Sequence, residues 1–264
     1  MTAGVKFPLT MAALLLIGLT AAASASPVIL DFSAIPPGGI WNGVSSNRGT
    51  SLTFAEAAGL TLTARSTFPA ADDPLFSDLA NPNKVGTLYW GDLGNLDDPA
   101  DCGVSGKPAC IGIGVQDSTK GGSKGISGGG PDAEEAAVFT WADAFAPAAS
   151  SVKIGIIGYA NNNSDANKND VLALYLEFLP STGSNSDFVN LNFTLPSSGP
   201  SIIDISTIGA ASGKVLKSVG IMATSGHFGI GSLSYDQVPE PSTLLIAGAG
   251  LVAVGLLRRR KRKV

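Results

Sequence analysis

The 264 residues predict an all-β protein: a two-sheet antiparallel β-sandwich, jelly-roll-like, flanked by an N-terminal signal peptide and a C-terminal transmembrane helix. Three observations carry that prediction. Short apolar runs rich in β-branched and aromatic residues recur along the chain. Clusters of Gly, Pro, Asn, Asp and Ser separate them, drawing on 33 Gly and 16 Pro. Between the two ends only Asp132–Phe145 has a plausible helical reading, with Pro131 placed for a first turn, and its Val138-Phe139-Thr140-Trp141 centre prefers a strand.

Residues 1–25 have the parts of a secretory signal: Lys6 in a positive leader, an apolar run over Met11–Leu19, and small residues at Ala23 and Ala25 before the expected cut. Residues 26–237 then form the extracytoplasmic domain. It is acidic, with 20 Asp/Glu against 10 Lys/Arg, a formal charge of −10. That surface repels polyanions, so nucleic acid is not expected as a partner.

The expected strands are Val28–Phe32, Leu60–Ala64, Leu88–Trp90, Ile111–Val115, Ala137–Trp141 and Val152–Ile157, followed by Val171–Leu179, Phe188–Leu195, Ile202–Ile205, Val215–Ala223 and Phe228–Tyr235. In one of them Phe188, Asn190, Asn192 and Thr194 alternate with Val189, Leu191, Phe193 and Leu195, the pattern of a half-buried antiparallel strand. Ser225-Gly226-His227-Phe228 reads as a hairpin turn between the last two runs. Leu179-Pro180-Ser181-Thr182-Gly183 spells a sortase pentapeptide. About 60 residues separate it from the apolar tail, however, so it reads as a strand end entering a turn.

Candidate chemistry is sparse. Cys102 and Cys110 are the only cysteines, and in an oxidising compartment they are expected to pair, stabilising a Gly/Pro loop by about 2–3 kcal/mol. His227 is the sole histidine, so a histidine metal cluster is not expected; a catalytic triad would need it as base, and its Ser225–Phe228 run reads as a turn instead. Asp97, Asp98, Asp101, Asp132, Glu134 and Glu135 supply carboxylates, but sequence does not set the separation that glycoside hydrolysis demands. Asn161, Asn163, Asp165 and Asn167 alternate as calcium ligands do, yet lack the glycine and closing glutamate of an EF-hand loop; a solvated hairpin loop is the competing reading. The Gly-rich Lys120–Gly125 loop lacks a phosphate-binding signature. No cofactor beyond calcium is suggested, and no enzymatic activity is expected.

Residues 238–264 are the most informative stretch. Val238-Pro239-Glu240-Pro241-Ser242-Thr243 is followed by an uncharged run ending at Leu257, and then by Arg258, Arg259, Arg260, Lys261, Arg262 and Lys263. Residues 241–257 make a helix of about 25 Å, near the thickness of a bilayer's hydrocarbon core. The basic residues 258–264 hold its end in the cytoplasm.

This three-part tail resembles the PEP-CTERM sorting signal, a motif also catalogued as an ice-binding protein C-terminal motif. Ice binding itself is not expected, because Thr61-Leu62-Thr63 stands alone instead of belonging to a regular Thr array. Ile113-Gly114-Val115-Gln116 and the later GISGGGPDAEEAAVFTW also resemble the body of many PEP-CTERM proteins. The resemblance implies an exosortase-like membrane transpeptidase as a partner, after signal peptidase and the membrane itself. It implies an inner-membrane tether with the C-terminus cytoplasmic, then release to the cell surface or matrix, and association with exopolysaccharide. A glycan- or calcium-binding module is the alternative. Unreduced protein is expected to show no free thiol by alkylation and mass analysis; two reactive thiols would reject the Cys102–Cys110 pairing.

Overall fold

The computed structural model of the chain describes residues 26–32, 46–47, 49–54, 56–66, 86–93, 111–116, 125–128, 135–157, 171–180, 187–195 and 201–237. The strands among them are β1 (Ser26–Asp31), β2 (Ser46–Asn47), β3 (Ser51–Phe54), β4 (Ala57–Ser66), β5 (Thr87–Asp92), β6 (Ile111–Gln116) and β7 (Ile126–Gly128). They continue with β8 (Glu135–Trp141), β9 (Lys153–Ile157), β10 (Val171–Leu179), β11 (Phe188–Thr194), β12 (Ser201–Asp204) and the long β13 (Val215–Gln237). Short 3-10 turns are the only helical segments among the described residues, and none is long and apolar enough to cross a membrane.

Two antiparallel sheets share one strand. The first half of β13 lies between β8 and β10, in a sheet ordered β3-β4-β8-β13-β10-β11 (sheet B). Its second half enters a sheet ordered β2-β5-β6-β13-β9-β12 (sheet A). Strands β1 and β7 also pair with β13. The expected hairpin at Ser225–Phe228 is therefore corrected. Val215–Ala223 and Phe228–Tyr235 do not pair with each other, because each already has its own neighbours in a different sheet. Gly226 takes a φ of +81°, which only glycine adopts freely, and the strand passes through it from sheet B into sheet A. His227 stands within β13 opposite Ser127 of β7.

The other expected strands appear with boundaries shifted by a few residues, and 135–141 is strand, not helix. Strands β2, β3 and β7 were not anticipated. They span two to four residues, too few for alternation to register.

Period-2 alternation turns one face of each sheet inward. Leu60 and Leu62 of β4, Ala137, Phe139 and Trp141 of β8, Leu172, Leu174 and Leu176 of β10, and Val219 and Ile221 of β13 join one core cluster. Leu88 and Trp90 of β5, Ile113 of β6, Ile154 and Ile156 of β9, and Ile230, Leu233 and Tyr235 of β13 meet them from sheet A. Aromatic contacts cross the gap. Trp141 meets Tyr235 edge-on at 5.3 Å between ring centres, and Phe32 stacks on Phe139 at 6.3 Å. Phe32 is held by its own backbone: its N–H donates to the Gly231 carbonyl at 2.8 Å, while its carbonyl accepts from Trp90 Nε1 at 2.9 Å.

On the outside of sheet A, Ile157 and Leu93 lie against backbone with no side chains beneath them. A Cβ at Gly112 would stand 2.7 Å from Ile157 Cδ1 and 2.8 Å from the Ile230 carbonyl oxygen, and a Cβ at Gly231 would stand 2.7 Å from Ile157 Cγ2. Ile157 can rotate away, but the Ile230 backbone is fixed in the ladder. Gly112→Ala is therefore expected to destabilise the domain by about 1–3 kcal/mol, as overpacking does. Chemical denaturation checks this, and an unchanged midpoint would contradict the close approach.

Candidate functional site

The two outward faces differ in kind. That of sheet A is closed by an apolar cluster of Tyr89, Leu93 and Ile157 over the glycine-lined backbone. That of sheet B carries polar and aromatic side chains in straight rows across six strands.

Cross-strand register defines the rows. In one, Thr53 (β3) faces Thr61 (β4), which faces Thr140 (β8), then Ser218 (β13), Glu177 (β10) and Phe188 (β11). In the next, Ser51, Thr63, Val138, Gly220, Tyr175 and Asn190 follow in the same strand order. A third contains Arg65, Ala136, Met222, Ala173 and Asn192. Neighbouring positions along a row are separated by the strand spacing of about 4.8 Å.

Exposure varies along these rows. Ala136, Val138, Ala173 and Met222 form a small buried cluster distinct from the main core, and Tyr175 packs against it while staying half-buried. Gly220, opposite Tyr175, contributes no side chain between that tyrosine and Val138. Ser218 is fully buried and donates from Oγ to Glu177 Oε2 at 2.6 Å, which fixes the carboxylate beside Tyr175. Towards β11 the face opens: Phe188 is half-buried, while Asn190, Asn192 and Thr194 are exposed. Among the described residues β11 pairs only with β10. A half-buried aromatic pair, two exposed amides and a fixed carboxylate thus share one side of a two-strand ribbon. That set can stack on a flat apolar surface and hydrogen-bond to hydroxyl groups around it.

Most of the candidate site residues singled out from sequence lie outside the described residues. Ala23, Ala25, Cys102, Cys110, Asn161, Asn163, Asp165, Asn167, the Val238–Thr243 segment and the basic residues 258–263 all lie outside the described residues. So do Asp97, Asp98, Asp101, Asp132, Glu134, the Lys120–Lys124 part of the glycine-rich loop and the 241–257 apolar run. Glu135 is described, buried at the head of β8. Among the described residues no group of three or more His, Cys, Asp or Glu side chains is placed to hold a metal ion.

Sequence reasoning missed Tyr175, Glu177 and Ser218 as a group. Ser218 lies 41 positions beyond Glu177, on another strand, and only the alternating Asn190 and Asn192 gave a local sign. Thr61 and Thr63, solitary in the sequence, acquire Thr53, Ser51 and Thr140 as neighbours through pairing.

Away from this face the ionisable groups serve the fold. Lys217 pairs with Asp143, and Lys214 Nζ lies 4.5 Å from the centre of the Phe178 ring. Burial pushes the Tyr235 hydroxyl above the usual phenol range, and the Trp141 indole N–H partly offsets it. Asp204 accepts from the Ser206 N–H at 3.0 Å and meets Lys153 at 3.1 Å. The hydrogen bonds from Ser206, and then the Lys153 ammonium, hold its carboxyl below the ordinary value of 3.8.

Residues 237–261 match the PEP-CTERM protein-sorting motif. The chain therefore carries the sorting signal that its tail resembles. Such a motif implies an exported protein, anchored by its C-terminal tail until an exosortase processes it. No curated protein matches the chain. Among solved structures, the family 11 carbohydrate-binding module of the cellulosomal cellulase Lic26A-Cel5E of Clostridium thermocellum aligns over 81% of this chain and 94% of its own, at 11% identity and a TM-score of 0.25. The same family 11 module in complex with a β-1,3-1,4-mixed-linked tetrasaccharide aligns over 81% and 95%, at 10% identity and a TM-score of 0.23. Superpositions this loose assign neither fold nor ligand, and the sandwich rests on the pairing described above.

The lowered pKa of Asp204 links its ionisation to stability with a definite sign. A carboxylate whose folded-state pKa lies below its unfolded value adds stability that is complete above the unfolded value and fades as pH falls through the folded one. Asp204→Asn is expected to flatten the acid limb of the stability–pH curve below about pH 4 and leave its neutral region nearly level. A mutant curve parallel to that of the wild type across the acid range would contradict the assignment.

Proposed function

We propose that this chain, which bears the PEP-CTERM sorting motif, is a cell-surface or extracellular-matrix protein associated with exopolysaccharide, and that its β-domain acts by binding and not by catalysis. A leader over residues 1–25 starts export, the 241–257 run spans the inner membrane, and the basic tail keeps its end in the cytoplasm. An exosortase-like transpeptidase then cuts near Pro239-Glu240-Pro241 and frees the domain. In this reading the crossings of the chain between sheets, from β8 to β9 to β10 and from β11 to β12, are of the jelly-roll kind.

The observation that carries the proposal is where the motif begins. Gln237 is both the last residue of β13 and the first of the matched motif. A cut beyond it leaves every strand of the described residues on the same side, so those ladders leave the membrane together. The glycan alternative is favoured over calcium by the polar and aromatic face of sheet B.

Fractionation of cells expressing the full chain tests this. Wild-type protein is expected as a transient membrane form and a shorter matrix form, and replacing Pro239, Glu240 and Pro241 together by Ala should leave only the membrane form. Intact protein recovered from the cytosol, or unaltered processing of the triple variant, would overturn the reading.

A further inference from the structure

We propose that the outer face of the β10–β11 ribbon is a subsite for a neutral polysaccharide, built from Tyr175, Glu177, Phe188, Asn190 and Asn192. This rests on the matrix reading above and supplies the place and ligand class which that reading leaves open.

The register sets the arrangement. Tyr175 lies opposite Asn190, Glu177 opposite Phe188, and Ala173 opposite Asn192. Tyr175 and Phe188 are diagonal neighbours on one face, within reach of aromatic side chains. Tyr175 rests on the apolar strip of Ala136, Val138, Ala173 and Met222, so little conformational entropy remains to be lost when a ligand stacks on it. A pyranose ring presents an apolar C–H face and a rim of hydroxyls. The aromatic rings suit the face, and the two amides, each both donor and acceptor, suit the rim. Glu177, fixed by the buried Ser218 hydroxyl, is an acceptor for sugar hydroxyls in a set position. Residues on β11 are the exposed side of the patch, and no further strand among the described residues lies beyond them.

Charge chooses the class of polymer. Neither β10 nor β11 contains Lys or Arg, and Glu177 is at the centre of the patch. Residues 26–237 as a whole carry a formal charge of −10. Uronate, sulfate or phosphate groups on a polysaccharide would be repelled, whereas an uncharged chain meets no such penalty. The row spacing of about 4.8 Å also lets a linear polymer lie across the strands and meet successive positions of a row.

The test uses the full chain purified in detergent, with the native exopolysaccharide of the producing strain, a soluble neutral β-glucan, a neutral mannan, and alginate as the anionic comparison. The wild type should bind at least one neutral polymer and bind alginate weakly or not at all. Tyr175→Ala should weaken that binding about tenfold or more. The double variant Asn190→Ala, Asn192→Ala changes only exposed side chains, so the fold is kept, and it should weaken binding by a similar factor. Thr207→Ala, on an exposed 3-10 turn far along the chain, should bind as the wild type does. No binding to any neutral polymer, a preference for alginate, self-association through this face in place of glycan binding, or an undiminished double variant would each overturn the subsite. Processing at the sorting motif is scored in the same strains. Variants that are cut normally but fail to bind separate the two ideas, because they overturn the subsite and leave the sorting reading standing.

Discussion

The backbone of Val215–Gln237 hydrogen-bonds first between β8 and β10 and then alongside β6, β7 and β9, so a single covalent strand serves two sheets. Its side chains obey the same constraint. Val219 and Ile221 face the core from one sheet, and Ile230, Leu233 and Tyr235 face it from the other. Gly226 makes the passage possible, because a side chain at its positive φ would be strained. The aromatic bridges between sheets, Trp141 on Tyr235 and Phe32 on Phe139, then hold the two inner faces in one alignment. This strand is the last among the described residues, and the matched sorting motif begins in the sequence at its final residue.

The outer faces separate structural from functional roles. On sheet A the glycine-lined backbone is roofed by Ile157 and Leu93, which pack with Tyr89 in an apolar cluster. On sheet B hydroxyls, amides, a carboxylate and aromatic rings flank a buried apolar strip against which Tyr175 packs. The partly buried Ser218–Glu177 hydrogen bond lies where these two kinds of surface meet, and it gives a charged side chain on an open ribbon a defined position.

The match between sequence and structure was good where period-2 alternation was long. Strand β11 shows it best: Val189, Leu191 and Phe193 pack against the core while Asn190, Asn192 and Thr194 stay exposed. It failed at Ser225–Phe228, where Ser, Gly and His resemble a turn. The chemistry of those residues permits either a reversal or a bend, and the choice depends on which strands occupy the adjacent ladders. Strands β2, β3 and β7 escaped for want of length. The candidate face was largely illegible, since Thr53, Thr61, Thr140, Ser218 and Glu177 enter one row only through pairing between distant segments.

By itself the amino-acid sequence determined the all-β class, the strand-forming segments, the acidic body and the tripartite tail, because each is a local pattern written in consecutive residues. The sharing of β13 between two sheets, the direction of the chain at Gly226 and the gathering of Tyr175, Glu177, Phe188, Asn190 and Asn192 on one ribbon were decided by tertiary structure alone. Hydrogen-bond register couples residues far apart in the chain, and no local pattern records which partner a strand will find.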